Sequence, residues 1–133
     1  MTNFFTELNS VDVSKHIEKK GKFTYLSWPF AVEQLGKADP KAHWTVHLFE
    51  DDGVSAPFMA TSLGYFVQVT VFCHGIAKTQ IHPVLDNRNR PIETPTPFDI
   101  NTSIQRCLVK AIALHGLGLY IYAGEDLPHD GPE

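Results

Sequence analysis

Arg106 and Lys110 stand one helical turn apart if the segment around them is a helix, and Thr102 continues their stripe at i, i+4, i+8. Three further cations precede them, Lys78, Arg88 and Arg90. Guanidinium and ammonium groups in a row suit a chain of phosphates, a contact that is blind to base sequence. Tyr65, Phe66, Tyr120 and Tyr122 are the aromatics that could stack bases beside such a track. By residue type alone the pattern is weak, because a helix with two outward cations is usually just a solvated face.

Other chemistries find less support. There is no GxxxxGK[ST] loop, and Gly116-Leu117-Gly118 closes a helical pattern where a dinucleotide motif would open one. His43 and His47 share one face of a strand pattern and His74 and His82 lie further on, with no Cys/His spacing that suits zinc and no HExxH. No metal and no cofactor are expected. No GxSxG elbow accompanies the serines. Asp86 and Asp99 are explained by turn and cap roles before catalysis is needed. The chain is therefore not read as an enzyme; a small hydrolase built on His82 and Asp86 is the catalytic rival.

The formal charge of −4 argues against a nucleic-acid binder until its distribution is seen. Glu125, Asp126, Asp130 and Glu133 fall in the last nine residues, and residues 1–124 are neutral overall. Lys15–Lys22 carries +3 and His74–Ile92 carries +2, so a basic surface can exist only as a local patch. Cys73 and Cys107 sit inside apolar patterns and are expected to be reduced core thiols. The start, MTNFFTELNS, has neither a basic region nor an apolar stretch of signal-peptide type, and no run is long enough for a membrane span. A cytoplasmic location and no membrane partner are expected.

The elements that must position the cations follow from periodicity. Ile100, Ile104, Cys107, Leu108, Ala111 and Leu114 recur at three and four, one apolar helical face. Asp99 and Asn101 are the candidate caps, and Gly116 and Gly118 the stop. Tyr65–Cys73 alternates strictly, with Tyr65, Val67, Val69, Val71 and Cys73 on one side. His74-Gly75 reads as a tight hairpin turn into a return strand, Ile76–Leu85, whose Lys78, Gln80 and His82 are expected to continue its partner's polar side. His43–Glu50 reads as one strand, followed by an acidic turn, and Phe58–Ser62 as a weaker one. Before these, Val11–Lys20 reads as a short helix capped by Ser10 and ended by Gly21, and Ser27–Gly36 as a second helix capped by Ser27 with Pro29 in its first turn. Residues 1–10 are a polar start. Leu119–Tyr122 reads as a last strand or extended segment. One domain over 1–124 and an acidic, flexible tail over 125–133 are expected. The fold class is α+β: an antiparallel meander of three to four strands packed on a long C-terminal helix, with short N-terminal helices.

TYLSW (Thr24–Trp28), the Gly64-Tyr65 strand with its hairpin to His82-Pro83-Val84-Leu85-Asp86, and above all PTPFDINTSIQRCLVKAIALHGLGLYIYAGEDLP (Pro95–Pro128) resemble the phage single-strand annealing proteins of the Sak type. These are grouped with the annealing domain of the eukaryotic recombination mediators. The resemblance covers about Val11–Pro128. It implies a β-β-β-α unit, ATP-independent annealing of complementary single strands of DNA, and a ring or filament of subunits with the strand in a basic groove. It carries backbone contact to Arg106 and Lys110; Lys78, Arg88 and Arg90 are added by charge and position only. It further implies a bacterial host cell, with a phage exonuclease or a host single-strand-binding protein as partners. The alternative of a different kind is a nucleic-acid-binding or interaction module on the same fold without annealing activity.

Overall fold

The computed structural model describes residues 3–20 and 23–123. The expected tail over 125–133 and the expected helix stop at Gly21 lie outside the described residues. The core is organised on one long strand, β7 (Gly64–Cys73), whose alternation sends Val67, Val69, Val71 and Cys73 fully inward. It pairs along its length with β8 (Ile76–Pro83). The connecting His74 and Gly75 have φ of 52° and 77°, the left-handed pair that a two-residue turn between twisted strands requires. The opposite edge of β7 is shared by β3 (His43–Val46), facing Val69–Phe72, and β6 (Met59–Thr61), facing Gly64–Phe66. All of these pairings are antiparallel and make one four-stranded sheet.

Register overturns the expected orientation of β8. Val71 is opposite Lys78, Val69 opposite Gln80 and Val67 opposite His82. Residues directly opposite in an antiparallel pair project to the same face. Lys78, Gln80 and His82 therefore belong to the helix-covered face, not to the polar side of β7. The open face receives Ala77, Thr79 and Ile81 instead, beside Phe66, Gln68, Thr70 and Phe72, and Ile81 is exposed. The two-residue turn dictates this, because a slip of one residue would invert every side chain of the strand. The Thr70 and Thr79 hydroxyls hydrogen-bond across the open face at 2.7 Å.

The helix α3 (Pro97–Ala113) covers the other face. Its cap is Thr96 rather than Asp99 or Asn101: Thr96 Oγ1 accepts from the Asp99 amide, and the Asp99 carboxylate accepts from the Thr96 amide. This reciprocal box fits because Pro97, whose fixed φ suits a first helical residue, needs no donor there. Ile100, Cys107, Leu108 and Ala111 are buried as expected, Ile104 is partly buried, and Leu114 is exposed. Val109 and Ile112 are buried as well, because α2 (Trp28–Ala38) packs on α3 from a second side. Polar groups pin helix to sheet: Ser103 Oγ donates to Pro83 O (3.3 Å), Cys107 Sγ to Gln80 O (3.1 Å), and His115 Nε2 to Val71 O (2.9 Å). Both cysteines are free and buried.

The N-terminal third differs from expectation. Residues Phe4–Asn9 form a helix, α1, capped by Asn3. The expected helix over Val11–Lys20 is absent: Ser14–His16 is a single 3-10 turn, and Ile17–Lys20 is a strand, β1, paired with β2 (Phe23–Leu26). The lysine-rich segment has helical propensity, but pairing with the β-prone Phe23–Leu26 outweighs it. Helix α2 is capped by Ser27 as expected, but runs past Gly36 to Ala38. Asp39 closes it, and its carboxylate also accepts from the His74 amide at 2.7 Å, which fastens the β7–β8 turn to α2. The expected strand His43–Glu50 divides. Phe49–Asp51 (β4) leaves the main sheet to pair with Val54–Ala56 (β5) around the acidic turn. Leu119–Tyr122 is a 3-10 turn rather than a strand.

Candidate nucleic-acid interface

A groove of about 700 Å³ opens between α3 and the β1–β2 ladder. Thr102, Arg106 and Lys110 line its helical wall, Tyr25 and Lys15 the opposite wall, Gln80 and His82 its floor. Ser27 and Trp28, at the start of α2, line it as well. Four helical residues advance about 6 Å, so the stripe of α3 places its two cations side by side along one wall.

Each cation is held by an aromatic ring. The Arg106 guanidinium lies 4.3 Å from the centre of the Tyr25 ring, and Lys110 Nζ lies 5.4 Å from that of Tyr122. Such contacts contribute about 0.5–1 kcal/mol where solvent reaches them. They restrain long side chains that would otherwise sweep freely, so less ordering entropy is lost when an anion binds. Tyr25 reaches Arg106 because β2 lies against the groove in register with β1, Tyr25 opposite Glu18.

His82 is buried beneath the two cations. Burial lowers its pKa from 6.5 to about 3, and the charges of Lys110 and Arg106 push in the same direction. It is therefore a neutral imidazole at physiological pH. An unfolded chain takes up a proton below pH 6.5 that the native site refuses, so this residue costs stability as pH falls from 6.5 towards 3 and costs nothing above. His82→Gln is expected to flatten the decline of the denaturant midpoint over that interval, and the wild-type imidazole resonances of His82 are expected not to shift between pH 5 and 8. A His82 titration midpoint near 6.5 would mean that the floor is wet.

The residues singled out in the sequence are only partly brought together. Arg106 and Lys110 line the groove; Lys78, Arg88 and Arg90 do not. Lys78 is exposed on β8. Arg88 and Arg90 are exposed in the loop that follows, where the Asp86 carboxylate accepts from both their amides (2.8 and 2.9 Å) and pairs with the Arg90 guanidinium at 3.4 Å. Asn89 of that loop reaches the groove while its arginine neighbours do not. Of the candidate stacking aromatics, only Tyr122 lines the groove. Tyr65 edges onto Phe58 by a second, uncharged cavity of about 600 Å³, and the Tyr120 hydroxyl accepts from the Val13 amide at 3.2 Å. Lys15, Tyr25, Trp28 and His82 enter the site only through the fold. The sequence signals them only indirectly: Tyr25, Trp28 and His82 fall within segments that carry the resemblance, and Lys15 within the basic Lys15–Lys22 run. Among the described residues no three His, Cys, Asp or Glu side chains cluster so as to hold a metal, and no helix is long and apolar enough to cross a membrane.

No curated protein matches the chain. The family model described as Sak Single Strand Annealing Protein matches residues 3–133, a span that includes every wall of the groove. The chain therefore belongs to the Sak single-strand annealing proteins.

Proposed function

We propose that this protein binds single-stranded DNA along the α3 wall of the groove and anneals complementary strands without ATP. It does so as a multimer, in phage homologous recombination in the cytoplasm of a bacterial host cell. The observation that carries this reading is the pair Arg106 and Lys110, one turn apart on a groove wall and each seated on an aromatic ring. Family membership supports a role in annealing single-stranded DNA. The site's two positions select no base, and an annealer that must accept any sequence needs contacts of that kind.

No energy source is required. Pairing is downhill once strands meet, at about 1.4 kcal/mol per stacked step. The protein has only to hold phosphates, keep bases from folding on one another and raise local concentration. Two groove cations per subunit give weak binding, and a row of subunits on one strand multiplies it. A phage exonuclease that exposes single strands, or a host single-strand-binding protein that coats them, is the class of partner this reading calls for.

The test is annealing of dye-labelled complementary oligonucleotides, with and without ATP, across a salt series. Annealing faster than that of free strands, unchanged by ATP and slowed by salt, is expected, together with multimers on single-stranded DNA by light scattering. Binding without acceleration would make the chain a binding module rather than an annealer.

A further inference from the structure

Trp28 is one of two tryptophans in the chain, lines the groove and is 40 % exposed. Its exposure follows from the helix that carries it. The inward face of α2 is set by Ala31 and Leu35, both fully buried, and Ser27 and Pro29 fix the first turn. The indole is thereby left on the rim rather than in the core.

The other rings nearby are already used. The ring of Tyr25 lies beneath the Arg106 guanidinium and that of Tyr122 beneath the Lys110 ammonium. Phe30 stacks on His16 with ring centres 3.7 Å apart and planes within 8°. Among the described residues, no ring and no cation lies over Trp28. It is the largest π surface in the groove and the one without an occupant, in the same cavity as two phosphate-seeking cations. A strand held on Arg106 and Lys110 has its bases within a groove that offers one uncovered aromatic platform.

We infer that Trp28 is the base-stacking residue of the groove, taking one nucleobase of a bound single strand on its exposed indole. Stacking accepts any base, because every base has a π face, so it adds affinity without adding sequence preference. It also separates single strands from duplex, whose bases are already stacked on each other. The inference rests on the reading of the groove as a single-strand site, and goes beyond it by assigning a contact to bases rather than phosphates.

The experiment compares oligo(dT) with an abasic oligomer of the same length and charge, on the full chain. Trp28→Ala is expected to weaken oligo(dT) at least about fivefold and to leave the abasic oligomer unchanged, while Trp28→Phe recovers most of the loss. In a Trp44→Phe background, fluorescence then comes from Trp28 alone, and oligo(dT) but not the abasic oligomer is expected to quench it. This second readout needs no change at Trp28 and stands even if Trp28→Ala fails to fold. Equal weakening of both oligomers by Trp28→Ala would show a structural role and overturn the inference, as would oligo(dT) binding that neither depends on Trp28 nor quenches it. In either case, a loss on both oligomers from changing Arg106 and Lys110 would leave the groove reading standing. If the full chain binds neither oligomer, the groove reading itself fails and takes the inference with it.

Discussion

Arg106→Ala together with Lys110→Ala is expected to weaken single-strand binding about 25-fold at 0.1 M salt, with the difference vanishing towards 1 M. Each phosphate contact to a single strand changes the slope of log K against log salt by about 0.7, so removing two lowers its magnitude by about 1.4 per subunit. Annealing should slow in step, because a strand that is not held is not presented. The fold should survive. Both positions lie on the groove side of α3, and the buried side, with Cys107, Leu108 and Ala111, is untouched. The Arg106 and Lys110 contacts to Tyr25 and Tyr122 are lost, at about 0.5–1 kcal/mol each, a minor fraction of a domain's stability. A salt titration by fluorescence anisotropy, with circular dichroism as control, makes the measurement. An unchanged slope in a folded double variant would place the strand elsewhere, and the cations of the Asp86–Arg90 loop would be next to examine.

Gly116→Ala is expected to be the most damaging Gly→Ala substitution among the described residues, costing about 3 kcal/mol and about 10 °C in Tm. Gly116 has φ of +120°, a region that residues with a Cβ avoid. The added carbon would stand 2.5 Å from the Phe5 carbonyl oxygen and 3.2 Å from the Asn9 amide nitrogen. These are backbone atoms of α1 and its C-terminal end, so no rotamer change relieves the contact. Gly116 itself has little room to retreat. His115 is tied to Val71 O on one side, and Leu117 is fully buried on the other. The expected response is displacement of α1, which removes Leu8 from the core and Phe4 from its stack on His74. Thermal melting and amide exchange across Phe4–Asn9 would report it. Wild-type protection in that helix would mean that the α1 contact carries no stability.

The sequence's success was uneven for identifiable reasons. Strand β7 and helix α3 were legible because each has one face against the core, and burial imprints its period on the choice of residues. The His74-Gly75 turn was legible because left-handed backbone restricts residue type. The faces of β8 were misread. Its polar residues suggested solvent, whereas the turn's register assigned them to the helix side, where His82 became a groove floor. Ile17–Lys20 was misread because its strand character comes from its partner and not from its own composition. By sequence Asp99 and Asn101 are the candidate caps of α3, whereas Thr96 caps it and Asp99 is the other half of the box.

The candidate site divides in the same way. The sequence by itself determined that α3 carries Arg106 and Lys110 on one stripe, apart from the buried one, because both stripes follow from 3.6 residues per turn within a single element. Family membership also follows from sequence alone. Only the tertiary structure decided which aromatics hold those cations, that Trp28 stands exposed in the groove, and that Arg88 and Arg90 do not line it. The groove is assembled from β1–β2, the start of α2, β8 and α3, segments far apart along the chain. Their meeting is set by sheet register and helix packing, and these long-range terms leave no local period to read.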